Sequence, residues 1–298
     1  MNTLTDMCAP GTGIREDLIS VSENVTLRVF TFTPPEPRNR PAVLFVSGWI
    51  STTSSWQHAL REMTKDFTVH YVETREKASA EVKGTVDYSV ETIGRDLITL
   101  IKHFQLDSGN YILFGSSLGA TAILDCCRFL ESEPLCLVLV GANAIFQVPW
   151  WGMILVRLYP PAIYLAIKPF IKWYLRTFRV SRGGGAAQAA KYARNLDMAE
   201  PYRLKKAMLA LAKYEVWDRL EEVRFPALVV GASGDLLHDP DNIREIVSRL
   251  NDCVYLDLET NERTHSAEVV VELRQFIATA TKKSSSHVAD AASKPSNG

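Results

Sequence analysis

The sequence predicts an α/β fold: a mostly parallel sheet opened by an antiparallel hairpin, helices on both faces, and an α-helical cap inserted late in the chain. Three observations lead there. Short apolar runs recur and read as strands, helical patterns with a period of about 3.6 residues separate them, and the rhythm breaks once, between Gly141 and Phe225.

The hairpin comes first. Val25 to Thr33 alternates as VTLRVFTFT behind the turn-forming Asn24, with Asp17 to Ser22 before it, as two paired strands require. The Pro-rich segment Pro34 to Pro41 then reads as a linker. Six apolar runs follow, Ala42 to Ser47, Phe67 to Glu73, Tyr111 to Gly115, Leu135 to Gly141, Ala227 to Ala232 and Cys253 to Leu258. Their apolarity is continuous rather than alternating, which predicts strands covered on both faces. Val90, Ile93, Leu97, Leu100, Ile101 and Phe104 mark the buried stripe of the clearest helix. The predicted organisation is a core of residues 1–141 and 226–280, a helical cap over 142–225, and a tail, 281–298, too polar to offset its ordering entropy.

Composition narrows the function. With 47% hydrophobic and 22% charged residues over 298 positions, disordered, collagenous and coiled-coil chains are excluded. A net charge of −1 gives no basic surface for wrapping nucleic acid, so no nucleic-acid partner is expected. The five cysteines are odd in number and lack C-x-x-C spacing, which points to neither a disulfide framework nor a zinc site. Met1 to Arg15 lacks a basic segment followed by an apolar one, so a cytoplasmic location is expected.

The chemistry centres on Tyr111 to Gly119, YILFGSSLG, where an apolar strand runs into G-x-S-x-G and a helical stretch follows. This is the setting of a nucleophile elbow, in which the central serine, Ser117, is lifted above the sheet and the flanking glycines let strand and helix approach. The bland reading is that Ser117 or Ser116 merely caps the helix. A serine nucleophile needs a base and an acid downstream. Asp235, just past the strand ALVVGA, is the chosen acid, with Asp239 and Asp241 as competitors. His265 is the chosen base, with His238 and His287 as the other histidines after Ser117. Backbone N–H groups of Leu118 and of Trp49, in the SGWI loop after the first core strand, are the expected oxyanion donors.

These residues together resemble the α/β-hydrolase family: SGWISTTSSW as the oxyanion loop, DYSVETIGRDLITLI before the elbow, GSSLGA, WDRLEEVRFPALVVGASGD and His265, over about Pro41 to Ala278. The sequence departs from the family pattern in three places. Ser47 stands for the usual His of the H-G loop, Ser116 and Ala120 alter the G-H-S-x-G-G elbow, and ETREKAS (Glu73 to Ser79) replaces D-x-R-G-x-G-x-S, placing charges near the expected pocket mouth. The resemblance implies a serine esterase or lipase-like hydrolase working through an acyl-enzyme, with no metal or organic cofactor. A thioesterase or acyltransferase, and a non-catalytic binding protein on the same fold, are the alternatives.

The cap adds a substrate cue. From Pro134 to Leu196 there is no acidic residue, while Arg157, Lys168, Lys172, Arg176, Arg179, Arg182, Lys191 and Arg194 are basic, and Trp150, Trp151, Trp173 and Tyr174 sit among aliphatic residues. That mixture suits a lipophilic ester and peripheral contact with an anionic membrane. Pro149, Arg157, Pro160, Pro161 and Lys168 interrupt the stretch, so a spanning helix is not expected.

Overall fold

In the computed structural model of the chain, the described residues are 3–36, 40–146, 150–158, 160, 164–174, 177, 185–235 and 239–279. The strands are β1 (Gly13–Ser22), β2 (Val25–Thr33), β3 (Ala42–Val46), β4 (Val69–Val72), β5 (Glu81–Val82), β6 (Tyr111–Ser116), β7 (Cys136–Val140), β8 (Ala227–Gly231) and β9 (Cys253–Asp257). β1 and β2 form the expected hairpin around Glu23 and Asn24, and β2 continues antiparallel onto β4. The order is β1-β2-β4-β3-β6-β7-β8-β9, with β5 beside β2, and the pairings from β4 across to β9 are all parallel.

Parallel neighbours cannot be joined by a tight turn, so each connection must return along a face of the sheet. α1 (Gln57–Met63) returns from β3 to β4, α2 (Val90–His103) leads into β6, and α3 (Leu118–Cys126) joins β6 to β7. Between β7 and β8 lie α4 (Trp150–Leu158), α5 (Tyr164–Tyr174), α6 (Gly185–Met198) and α7 (Pro201–Leu211). α8 (Pro240–Arg249) precedes β9, after which come α9 (Asn261–Thr264) and α10 (268–279).

Helices on both faces explain the continuous apolar runs. Along β3, Leu44 and Val46 join one core with Ile93, Leu97 and Ile123, while Val43 and Phe45 join the other with Trp56, Leu60 and Leu273. The last run behaves differently. β9 ends the strand order, and its Val254 and Tyr255 are exposed, because an edge strand has a neighbour on one side only and its outer residues escape full cover. The Pro34 to Pro41 linker is described only in part, and Pro149, Gly183, Gly184 and the tail 281–298 lie outside the described residues.

Candidate active site

The carboxyl ends of β3, β6, β7 and β8 meet at one edge of the sheet, where open parallel sheets gather functional groups. β6 ends at Ser116, α3 begins at Leu118, and Ser117 between them stands at φ 49°, ψ −115°. A positive φ is sterically costly for a residue with a Cβ and persists only when its surroundings enforce it. Here the Ser117 N–H donates to Val140 O at 2.8 Å, and its carbonyl accepts from Thr121 N at 3.0 Å. The glycines are required by close approach. A Cβ on Gly115 would lie 2.6 Å from the Ala120 backbone, and one on Gly119 would lie 2.1 Å from Val46 O. The Ser117 side chain forms no capping hydrogen bond to α3, so helix capping does not account for it.

Asp235 follows β8 and is buried, and its Oδ2 accepts from Asn261 Nδ2 at 2.9 Å. His265 follows α9, and its Nδ1 lies 2.8 Å from Asn261 O. A carbonyl only accepts, so Nδ1 carries the proton in this bond and the neutral ring keeps its lone pair on Nε2, the tautomer a general base needs. Asn261 thus touches both Asp235 and His265. Asp235, Asn261, Thr264 and His265 line one small cavity, about 10 Å³, together with Ser116 and Gly141. The competing acids are placed otherwise: Asp239 caps α8 and Asp241 is an exposed partner of Arg244. His238 and His287 lie outside the described residues.

The loop after β3 forms a tight turn, Ser51 N donating to Gly48 O at 3.0 Å with Ile50 at φ 53°. It lies against the elbow: a Cβ on Gly48 would come 3.2 Å from Ser116 O and 3.3 Å from Ser117 Cβ. The Trp49 and Leu118 amides therefore belong to two backbone segments in contact beside Ser117. The Trp49 indole Nε1 is buried and meets no acceptor among the described residues. Trp56 links this loop to His265, since its Nε1 donates to Ser51 Oγ at 3.2 Å and its ring stacks on His265 with centroids 4.0 Å apart.

Several of these contributors are invisible to motif reading. Asn261 precedes His265 by four residues, a helical spacing that could have flagged it. Asn143, in the loop after β7, donates from Nδ2 to Gly141 O at 3.2 Å and reaches Ser117 Oγ at 3.5 Å. Its signal was its place at the carboxyl end of a strand next to the elbow.

Solved structures share this architecture across almost the whole chain. A thermophilic esterase from Thermogutta terrifontis superposes with a TM-score of 0.71 at 16% identity, over 90% of this chain and 99% of the esterase. The enol-lactonase from Burkholderia xenovorans LB400 gives 0.68 at 15%, over 88% and 98%. A membrane phospholipase A, a bacterial virulence factor, gives 0.70 at 14%, over 91% and 87%.

The chain has the α/β-hydrolase fold. No protein-family model matches the sequence, and no curated protein does.

Within this α/β-hydrolase fold, the segment after β4 corrects an expectation. Glu73, Arg75, Glu76 and Lys77 are buried instead of lining a pocket mouth. Glu73 pairs with Arg28 at 2.7 Å, and Arg75 makes a two-pronged pair with Asp96, Nε to Oδ2 at 2.7 Å and Nη2 to Oδ1 at 2.5 Å. Buried charges persist only when paired or well hydrogen-bonded, and Arg28 and Asp96, the partners of Glu73 and Arg75, are distant in sequence. The cationic stretch is likewise less bare than its sequence suggests, since Lys168 and Lys172 both pair with Asp197, at 3.0 and 2.8 Å.

Proposed function

We propose that the protein is a serine hydrolase that cleaves carboxylic esters with a lipophilic part through an acyl-serine intermediate. The observation that carries this reading is Ser117 at φ 49° on the sharp turn between β6 and α3. That an esterase, a lactonase and a phospholipase A share the fold supports ester chemistry.

In this reading Ser117 Oγ bonds to the ester carbonyl carbon while its proton passes to His265 Nε2, and the carbonyl π pair moves onto oxygen. Trp49 and Leu118 N–H groups hold that oxyanion, each worth roughly 3 to 4 kcal/mol. The intermediate collapses as the alkoxide leaves with the proton from His265, and water repeats the sequence to release the acid. Asp235, with Asn261 between it and the imidazole, stabilises the base.

In this reading the insertion between β7 and β8 is a cap, and its α4 carries an exposed apolar stripe. Trp150, Ile154 and Leu158 are 76%, 46% and 75% exposed at i, i+4 and i+8, with exposed Arg157 beside them. Among the described residues no helix is long and apolar enough to cross a membrane. The stripe suits shallow seating at an anionic lipid surface.

The test is labelling with a fluorophosphonate together with turnover of p-nitrophenyl esters. The native protein labels and turns over, and Ser117→Ala does neither, with a loss in turnover of up to ~10⁶. Esterase activity surviving in that variant overturns the assignment. For the membrane, Trp150→Ala with Leu158→Ala lowers binding to anionic liposomes, and equal binding by the native protein and the variant removes α4 from the surface.

A further inference from the structure

The most unusual group beside the site is a lysine that the mechanism above does not use. Lys77 is only 9% exposed, and its Nζ donates to Gly48 O and to Ser51 O, each at 2.8 Å. Among the described residues no carboxylate pairs with it at ion-pair distance. Taking an ammonium out of water is costly, and burial holds this one below the usual lysine range. The ammonium is spent on two backbone carbonyls.

Those carbonyls are the two ends of the turn that carries Trp49 and Ile50. Ile50 is β-branched and sits at φ 53°, a left-handed conformation such residues adopt only when the surroundings over-determine it. Three straps do so: the Ser51 N–H to Gly48 O, the Trp56 indole to Ser51 Oγ, and Lys77 on both ends at once. Lys77 is itself anchored, because its carbonyl accepts from Arg203 Nη1 of α7 at 2.6 Å and its N–H donates to Thr74 O at 3.0 Å. There is also an electronic consequence. The Gly48 carbonyl and the Trp49 N–H are two ends of one peptide group, so a cation on the oxygen polarises that peptide and strengthens the N–H as a donor.

We propose that Lys77 is a positioning residue of the oxyanion hole, its ammonium clasping Gly48 O and Ser51 O so that the strained turn presents a fixed and polarised Trp49 amide to the reacting carbonyl oxygen. The proposal rests on the serine-hydrolase reading above. Lys77 touches neither substrate nor nucleophile; it acts through the peptide it grips.

The experiment compares native protein with Lys77→Met, which keeps the apolar stem and removes the charge. Two quantities are read: kcat and KM on a p-nitrophenyl ester, and the affinity of an aryl trifluoromethyl ketone. That ketone bonds to Ser117 Oγ as the proton passes to His265 and the carbonyl pair becomes an oxyanion, so it reports on the hole directly. We expect kcat to fall by about 10- to 100-fold, somewhat less than loss of a donor itself, with KM nearly unchanged. Ketone affinity falls by the same factor as kcat/KM.

Unchanged kcat and ketone affinity in a folded Lys77→Met overturn the proposal, and so does a rise in KM alone. If a melting curve shows that Lys77→Met is unfolded, Lys77→Gln, which keeps one neutral donor, takes over the same comparison. Loss of fold in both variants also overturns it, in favour of a purely structural lysine. Failure of the underlying reading looks different, because Ser117→Ala would then stay active and the native protein would not label, whatever Lys77→Met does.

Discussion

Gly119→Ala tests the elbow at its tightest point. The added Cβ would lie 2.1 Å from Val46 O, 2.7 Å from Val46 C and 3.0 Å from Ser47 O, where ordinary contact begins at 3.4 Å. All three atoms are main chain, and Val46 is pinned in the sheet between Val72 and Gly115, so no side chain can rotate away. Relief of more than an ångström must come from α3 moving off β3, which drags Ser117 with it. Overpacking of this kind costs ~1 to 3 kcal/mol, and we expect the upper end because no flexible atom can yield. With Ser117 as the proposed nucleophile, a displacement of about 1 Å there should lower kcat/KM by ~10²-fold. Gly109→Ala is the control. Gly109 has φ 75° with no atom within 4 Å of a new Cβ, so it meets only backbone strain, ~1 to 2 kcal/mol, and activity should not change. Urea unfolding followed by fluorescence gives the stabilities, and p-nitrophenyl ester turnover gives the rates. The reasoning fails if Gly119→Ala is no less stable than Gly109→Ala and keeps native turnover.

Three further outcomes are expected. Burial holds His70 at a pKa of about 4 against an ordinary 6.5, with Thr31 Oγ1 3.0 Å from its Nδ1. The unfolded chain therefore takes up this proton first, and stability present above pH 6.5 is lost as pH falls toward 4, by about 3 kcal/mol. His70→Phe should flatten that part of the urea-midpoint profile relative to native protein, and parallel profiles would contradict the assignment. Arg75→Met strands the buried Asp96 carboxylate and should cost ~3 to 5 kcal/mol, while Arg75→Met with Asp96→Leu recovers most of it; equal unfolding midpoints for the single and double variants would show that the pair is not coupled. Trp56→Leu removes both the stacked support of His265 and the donor to Ser51, so kcat/KM should drop by ~10-fold or more, and steady-state kinetics showing native values would remove Trp56 from the site.

What the sequence determined by itself is whatever local chemistry dictates. Continuous apolar runs marked β3, β4, β6, β7 and β8, and G-x-S-x-G marked the elbow, because strand period, helix period and glycine geometry act over a few neighbouring residues. The edge position of β9 was not legible, since a run of the same composition carries no sign of how many neighbours it will have. The site beyond the elbow was legible only in part. Asp235 and His265 could be chosen by chain order, but Asn261 between them, Asn143 beside Ser117 and Trp56 against His265 are ordinary residues until the loops converge.

The charged residues make the contrast clearest. Read along the chain, Glu73 to Lys77 is a polar segment suited to water, and the cap is a run of unopposed cations. In the fold, Arg75 finds Asp96, Lys168 and Lys172 find Asp197, and Lys77 finds the carbonyls of Gly48 and Ser51. A charge can leave water only when its partners arrive in place, and that arrival is decided by which strands and helices meet in space.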